Sequence, residues 1–165
     1  DVAVAGGGAP TRPARADRPG VDRGAPVSAA TLRLLRAAFA CLAAGLTLGV
    51  TFALDRPLGA ALRPMHAELN VWGFVSLLIY GVALHIVPRF AARPLRWPRL
   101  ADALSVAAPA GVAIAAAGWW AAWQRWPGAR AALLAGGALE AAAAAAFIAV
   151  MADLLWPRRG GYSRG

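Results

Sequence analysis

The stretch "LRPMHAELNVWGFVSLLIYGVALHIVPRF", residues 62–90, is an apolar run with a histidine near each end. Its apolar part is close to the ~20 residues that cross ~30 Å of hydrocarbon as a helix. A helix that only anchors a protein has no use for polar side chains, because each makes insertion less favourable. This run carries His66, Glu68, Asn70 and His85. We therefore predict a membrane-spanning helix with a functional role.

The composition of the whole chain places this helix in a membrane protein. The 165 residues are 59% hydrophobic and 15% charged, whereas soluble domains are roughly 25% charged. The apolar residues form four blocks separated by Arg and Pro. We predict an all-α, four-helix transmembrane bundle over residues 28–165, with spans near 34–54, 66–87, 103–123 and 131–156. Residues 1–27, rich in Gly, Pro and Arg, are expected to form a disordered tail.

The net charge of +9 comes entirely from arginine, since the chain has no lysine. These arginines lie at the ends of apolar blocks rather than on a polar surface, which argues against nucleic acid as a partner. Thirteen of the 17 lie in the two terminal regions and in the loop after the second span. The positive-inside rule then predicts that both termini are cytoplasmic. The expected location is a multi-pass position in a bacterial inner membrane.

The first candidate site centres on His66. Asn70 follows at i+4 and Gly73 at i+7, so the three share one helix face. A small residue below a histidine leaves room for a flat ligand, and neutral imidazole is a common ligand of heme iron. The alternative is an interfacial histidine that hydrogen-bonds to lipid headgroups or water, and the spacing alone leaves both open.

His85 is a weaker candidate at the other end of the same helix. It lies 19 residues after His66, or ~28 Å along a helix, so one iron cannot join both within a chain. His85 is either a packing or interfacial histidine, or a heme ligand together with Met151. Met151 lies near the same end of the fourth predicted span.

Two acidic residues are candidates for a proton-related role. Glu140 stands near mid-depth in the fourth span, so it should face the bundle, be protonated or have a partner. It shares a face with Met151, and the alanines between them permit tight packing or a bulky cofactor. Glu68 is expected to be solvated at the outer interface. In the first span, Gly45 and Gly49 have the small-xxx-small spacing that suits close helix packing.

The segment "ALRPMHAELNVWGF", residues 61–74, resembles the start of the second transmembrane helix of heme–copper oxidase subunit I. The nearest branch is that of the C-type oxidases and nitric oxide reductases. The ending "HIVPRF", residues 85–90, is similar to the exit of the same helix. In that family the histidine is an axial ligand of the low-spin heme b near the outer face. The resemblance implies this role for His66, and it covers the first two predicted spans.

The chain also departs from that family. The family's catalytic subunits have many more spans and several further histidine ligands, whereas this chain has two histidines in all. It cannot hold the binuclear centre, so it is not expected to be a complete oxidase or a stand-alone enzyme. The resemblance implies a membrane heme b protein that transfers electrons or binds a diatomic gas such as NO or O2.

The heme iron would need further coordination. Two copies of His66 in a homodimer would supply it, as would the alternative pair of His85 and Met151. A rival function is a cofactor-free structural or assembly subunit of a respiratory membrane complex. A third class is a small proton conduit that uses Glu140 and Glu68.

Overall fold

The structure is a computed structural model that describes residues 27–156. Its helices are α1 (Ala29–Leu54), α2 (Arg56–Glu68), a π-helical segment (Leu69–Ser76), α3 (Leu77–Phe90), α4 (Pro98–Trp123) and α5 (Ala129–Leu155). Within this part there is no strand. Because α2, the π segment and α3 continue as one rod, Arg56–Phe90, the described residues contain four helices long and apolar enough to cross a membrane. The predicted all-α, four-helix transmembrane class is confirmed. The predicted tail lies outside the described residues, except for Val27.

A single residue, Asp55, connects α1 to the rod. Its backbone N–H donates to the Thr51 carbonyl at the end of α1, and its side chain accepts a hydrogen bond from the Leu58 N–H. Pro57 occupies the first turn of α2, where its missing N–H costs nothing and its fixed φ suits the helix. The chain therefore reverses sharply, and α1 and the rod become antiparallel neighbours.

The rod begins ten residues earlier than predicted, at Arg56 rather than near His66. The sequence analysis placed the helix start after Pro64, because proline often opens a helix. Pro64 instead lies inside α2, where it removes one backbone hydrogen bond without ending the helix. As a result, His66 lies about 15 Å along the rod from its first residue.

Small residues let α1 pack closely on the rod. Gly49 faces His66 and Gly45 faces Asn70, so a Cβ at either glycine would press on those side chains. Further along, a Cβ at Gly73 would lie 2.6 Å from the Cβ of Cys41. The close packing predicted for Gly45 and Gly49 is confirmed.

Helices α4 and α5 form a second antiparallel pair. Gly128 begins α5 with φ +89, a left-handed conformation that favours glycine. Gly136 lies so near α4 that a Cβ there would be 2.6 Å from the Ala115 nitrogen. The other partners of α5 are few, and α3 touches it only lightly. Much of the α5 surface is therefore left open.

Ion pairs join the elements at the end of the molecule that carries Ala29 and Leu155. The Arg33 guanidinium is 2.8 Å from the Asp102 carboxylate, and its Nε donates to the buried Ser105 hydroxyl at 2.9 Å. Arg96 reaches Asp153 at 3.3 Å. These contacts fix α1 to α4, and the α3–α4 loop to α5. We call this end the terminal face, and the opposite end, with Asp55 and Gly128, the hairpin face.

Candidate functional site

His66 lies in the interface between α1 and the rod, not on an open helix surface. Its Nδ1 is 2.9 Å from the Gly45 carbonyl oxygen, and the residue is half-buried. Phe52 lies beside the imidazole, with 5.3 Å between ring centroids. A Cβ at Gly49 would be 3.3 Å from the His66 Cε1. Two glycines of α1 thus provide the surface on which the ring lies.

The hydrogen bond to Gly45 selects one form of the neutral ring. A carbonyl oxygen only accepts, so Nδ1 carries the hydrogen and Nε2 keeps its lone pair. A metal-binding histidine is commonly oriented in this way, by a backbone carbonyl on its other nitrogen. The His66 ring therefore has the tautomer and the outer hydrogen bond that an axial iron ligand needs.

Asn70 forms the second part of this site. Its Nδ2 donates to the His66 carbonyl at 2.8 Å and lies 3.4 Å from Nδ1 and 3.5 Å from Nε2 of the ring. Asn70 also touches Gly45. The predicted common face of His66, Asn70 and Gly73 is thus present, and all three face α1.

The space expected beside Gly73 is filled. The Cys41 Sγ would be 2.8 Å from a Cβ at Gly73, and the Val112 side chain would be 3.3 Å from it. A flat ligand does not fit against the helix at this point within one chain. The ring of His66 fits heme iron, but the surface below it does not supply a porphyrin cradle. Within residues 27–156, no group of three or more His, Cys, Asp and Glu side chains is arranged to hold a metal ion.

His85 and Met151 are placed differently. His85 is half-buried on α3, and its carbonyl accepts a hydrogen bond from Arg89 at 2.8 Å. Met151 is buried in the apolar core with Leu84 and Leu154. Shared iron binding by His85 and Met151 stays a prediction.

The structure brings Glu68 and Glu140 together, which the sequence analysis did not foresee. Glu140 is 7% exposed, and the Oε1 atoms of both residues are buried without a hydrogen-bond partner among the described residues. The two side chains are near enough to interact with each other. Glu140 faces the bundle as predicted, and Glu68 is half-buried with one carboxyl oxygen shielded from solvent. A solvated, interfacial Glu68 stays a prediction.

The distance of each glutamate from the start of its helix could have revealed this pair. Glu68 lies 12 residues from the start of the rod at Arg56, and Glu140 lies 11 residues from the start of α5 at Ala129. Both helices start at the hairpin face, so the two side chains reach nearly the same depth, ~18 and ~17 Å along their helices. The signal was hidden because the rod was expected to begin near His66.

Small and aromatic residues surround Glu140. Its Cγ would be 2.9 Å from a Cβ at Gly111, so α4 approaches closely here. Glu140 lines a cavity of about 10 Å³, whose lining also includes Trp72, Ser76 and Tyr80. The Tyr80 ring stacks on Phe147 with 4.4 Å between centroids. The π segment supplies two of these lining residues, and such segments are frequent at functional sites.

Comparison with known proteins adds no relative: no protein-family model, curated protein or solved structure matches this chain.

Proposed function

We propose that this protein binds heme b in the membrane, with His66 as an axial ligand of the iron. The observation that supports this most directly is the 2.9 Å hydrogen bond from Nδ1 to the Gly45 carbonyl. It leaves Nε2 as the coordinating atom and fixes the ring orientation. The function is electron transfer or binding of a diatomic gas such as NO or O2, and not the reaction of a complete oxidase.

The residues of the chain favour a b-type heme. Covalent attachment through C-x-x-C-H needs two cysteines, and this chain has only Cys41. Heme would therefore be held by iron coordination and apolar contact. Leu46 and Val50, which follow the two glycines on α1, are exposed apolar side chains suited to such contact.

Each residue near the ring has a distinct task in this proposal. The Gly45 carbonyl holds the Nδ1 hydrogen, Gly49 gives the ring room, and Asn70 fixes the backbone at His66. Bound heme would supply one-electron redox chemistry, or an iron site for a gas if one axial position is open. A second copy of the chain in a homodimer would offer an equivalent His66 and cover the porphyrin that one chain leaves exposed.

We further propose that the protein lies in a bacterial inner membrane with its terminal face toward the cytoplasm. Arg89, Arg93, Arg96 and Arg99 support this orientation, because positively charged loops are retained inside. The heme site would then be in the outer half of the membrane.

The test is the visible spectrum of the full-length protein, purified in detergent after expression with ample heme. We expect a Soret band, reduced-state bands, and b-type heme in a pyridine hemochrome assay. His66→Ala should lose at least nine-tenths of the heme. His66→Gln should lose as much, although its amide N–H can replace the donor to Gly45. His85→Ala is the matched control and should keep its heme.

Two outcomes would contradict this proposal. Wild-type protein without a Soret band would remove the heme function altogether. If folded His66→Gln keeps its full heme content and His85→Ala loses its heme, the iron is bound by the alternative pair of His85 and Met151.

A second candidate function is a cofactor-free structural or assembly subunit of a respiratory membrane complex. The open surface of α5 favours it, since α5 packs chiefly on α4 and Gly137 has open space beside it. Under this function, the protein is colourless and migrates with a larger complex in native electrophoresis of solubilised membranes. A bulky substitution at Gly137 should then release the protein from that complex. If the protein instead binds heme at His66, the same substitution should leave its spectrum unchanged.

A further inference from the structure

We propose that the terminal face binds a phospholipid with a negatively charged headgroup, in a pocket between the start of α4 and the last turns of α5. The headgroup phosphate contacts Arg96 and Arg99, and an acyl chain lies against α5 at Ala149. The inference is independent of heme binding at His66. It rests on the position of the pocket, its unbalanced positive charge and the tryptophans beside it.

The pocket has a volume of about 550 Å³, which lies in the range of small-molecule sites. Its lining comes from the loop before α4, the first turn of α4, and α5: Arg96, Trp97, Pro98, Arg99, Leu100 and Ala149. Ala149 is exposed and lies six residues before the end of α5 at Leu155, or ~9 Å along the helix. The neighbouring Ile148 is 64% exposed. The pocket therefore extends from a charged end near the membrane surface to an apolar end at the depth of the acyl chains, which suits a lipid better than a free anion.

The positive charge of the pocket is only partly neutralised. Arg96 is 3.3 Å from the Asp153 carboxylate, whereas Arg99 is exposed and forms no ion pair within residues 27–156. In the same part of the chain, no side chain caps the start of α4, where the helix dipole favours an anion. A phosphate group complements both features, because a guanidinium binds phosphate oxygens through paired hydrogen bonds. A zwitterionic headgroup would bring a second cation to Arg99, so the site favours a lipid with net negative charge.

Two tryptophans place the charged end of the pocket at the level of the lipid headgroups. Trp97 and Trp156 are both exposed, and tryptophan is enriched where a membrane protein meets the headgroups. The Arg96 guanidinium lies over the Trp97 ring, 5.1 Å from its centroid, a cation–π contact that holds the charge at this level. A second cavity, of about 230 Å³, shares Arg96, Trp97 and Ala149 with the first and adds Trp156 to the lining. The surface that a lipid can cover therefore continues beyond the first pocket.

The chain's own C-terminal segment is a less suitable occupant of this pocket. In the sequence, Trp156 is followed by Arg158, Arg159 and Arg164 and by no acidic side chain. This segment repeats the positive charge of the pocket and does not neutralise it. Basic residues beside a membrane surface attract anionic lipids, so these arginines favour the same ligand.

Native mass spectrometry of the full-length protein in detergent tests this proposal. Delipidated protein is titrated with phosphatidylglycerol or with phosphatidylcholine that has the same acyl chains. We expect the first phosphatidylglycerol to bind about fivefold more tightly than phosphatidylcholine, which is the effect of roughly one arginine near the headgroup. Arg99→Gln should remove most of this preference. Arg36→Gln is the matched control, because Arg36 is exposed on α1 toward the same end of the molecule and does not line the pocket.

A second pair of variants tests the apolar end of the pocket. Ala149→Leu occupies space in the pocket without a change of charge, so it should weaken phosphatidylglycerol binding severalfold. Ala138→Leu makes the same change about three turns away on α5, outside the pocket, and should bind the lipid normally. Both alanines are exposed, so neither substitution disturbs the core.

Four results would overturn the proposal. One is equal affinity of the wild-type protein for the two lipids, and another is an equal loss of preference in Arg99→Gln and Arg36→Gln. Displacement of the lipid by excess inorganic phosphate would make the pocket a site for a soluble anion. Tighter lipid binding when Arg158→Gln and Arg159→Gln are combined would make the C-terminal segment its occupant. None of these measurements uses heme absorbance, so this inference and the heme proposal can fail separately.

Discussion

Two substitutions at Glu140 separate the effect of its charge from the effect of its size. Glu140→Gln keeps the size and a hydrogen-bonding group, so we expect near-normal yield of folded protein. Glu140→Lys places a longer cationic side chain next to Gly111, where a Cβ would already be 2.9 Å from Glu140. Its insertion cost is on the order of 3 kcal/mol. The yield of monodisperse protein after size-exclusion chromatography measures both, and equal yields would place the residue in water or headgroups.

Some positions of polar residues in the spans followed from the sequence, and others did not. The spacing of His66, Asn70 and Gly73 predicted their common face, because helical periodicity fixes which residues share a side. The cost of a charge in hydrocarbon predicted that Glu140 faces the bundle. The proximity of Glu68 to Glu140 was missed, because it depends on where each helix begins and the rod was expected to begin near His66. Nothing in the sequence showed that Cys41 fills the space beside Gly73.

At the scale of helices, two neighbouring glycines of α5 offer a matched pair. A Cβ at Gly136 would be 2.6 Å from the Ala115 backbone nitrogen, whereas a Cβ at Gly137 meets nothing within 4 Å. Backbone cannot move aside as a side chain can, so Gly136→Ala should cost about 1–3 kcal/mol of stability. Gly137→Ala should be neutral or slightly stabilising, because alanine favours helix. Thermal unfolding in detergent measures the difference, and equal midpoints would contradict the close α4–α5 contact.

The number and type of helices followed from hydropathy, but the boundary and the internal shape of the rod did not. Asp55 is both the C-cap of α1 and the N-cap of α2. The turn therefore contains no loop whose composition could mark it in the sequence. The π segment leaves no clear trace in residue composition. Its Ser76 hydroxyl bonds the Val71 carbonyl at 3.0 Å, a local contact that sequence periodicity does not reveal.

At the scale of the whole molecule, the lone Cys41 makes the orientation simple to measure. In a Cys41→Ala background, Gln124→Cys marks the hairpin face and Pro94→Cys marks the terminal face. With arginine-rich loops inside, a membrane-impermeant maleimide added to intact cells should label the cysteine at 124. The cysteine at 94 should react only after permeabilisation. The opposite pattern would reverse the orientation, and labelling of both in intact cells would contradict a four-span topology.

The rod from Arg56 to Phe90 has 35 residues, or about 52 Å at ~1.5 Å per residue. A hydrocarbon layer of ~30 Å would contain all of it only at a tilt of about 55°, beyond the roughly 40° that marks the upper range for transmembrane helices. At least ~10 Å of the rod must therefore stand outside the hydrocarbon. The Arg56 end is the part that can do so, because it carries Arg56 and Arg63 and both are exposed. Membrane thickness thus decides how far His66, ten residues along this rod, lies below the lipid headgroups.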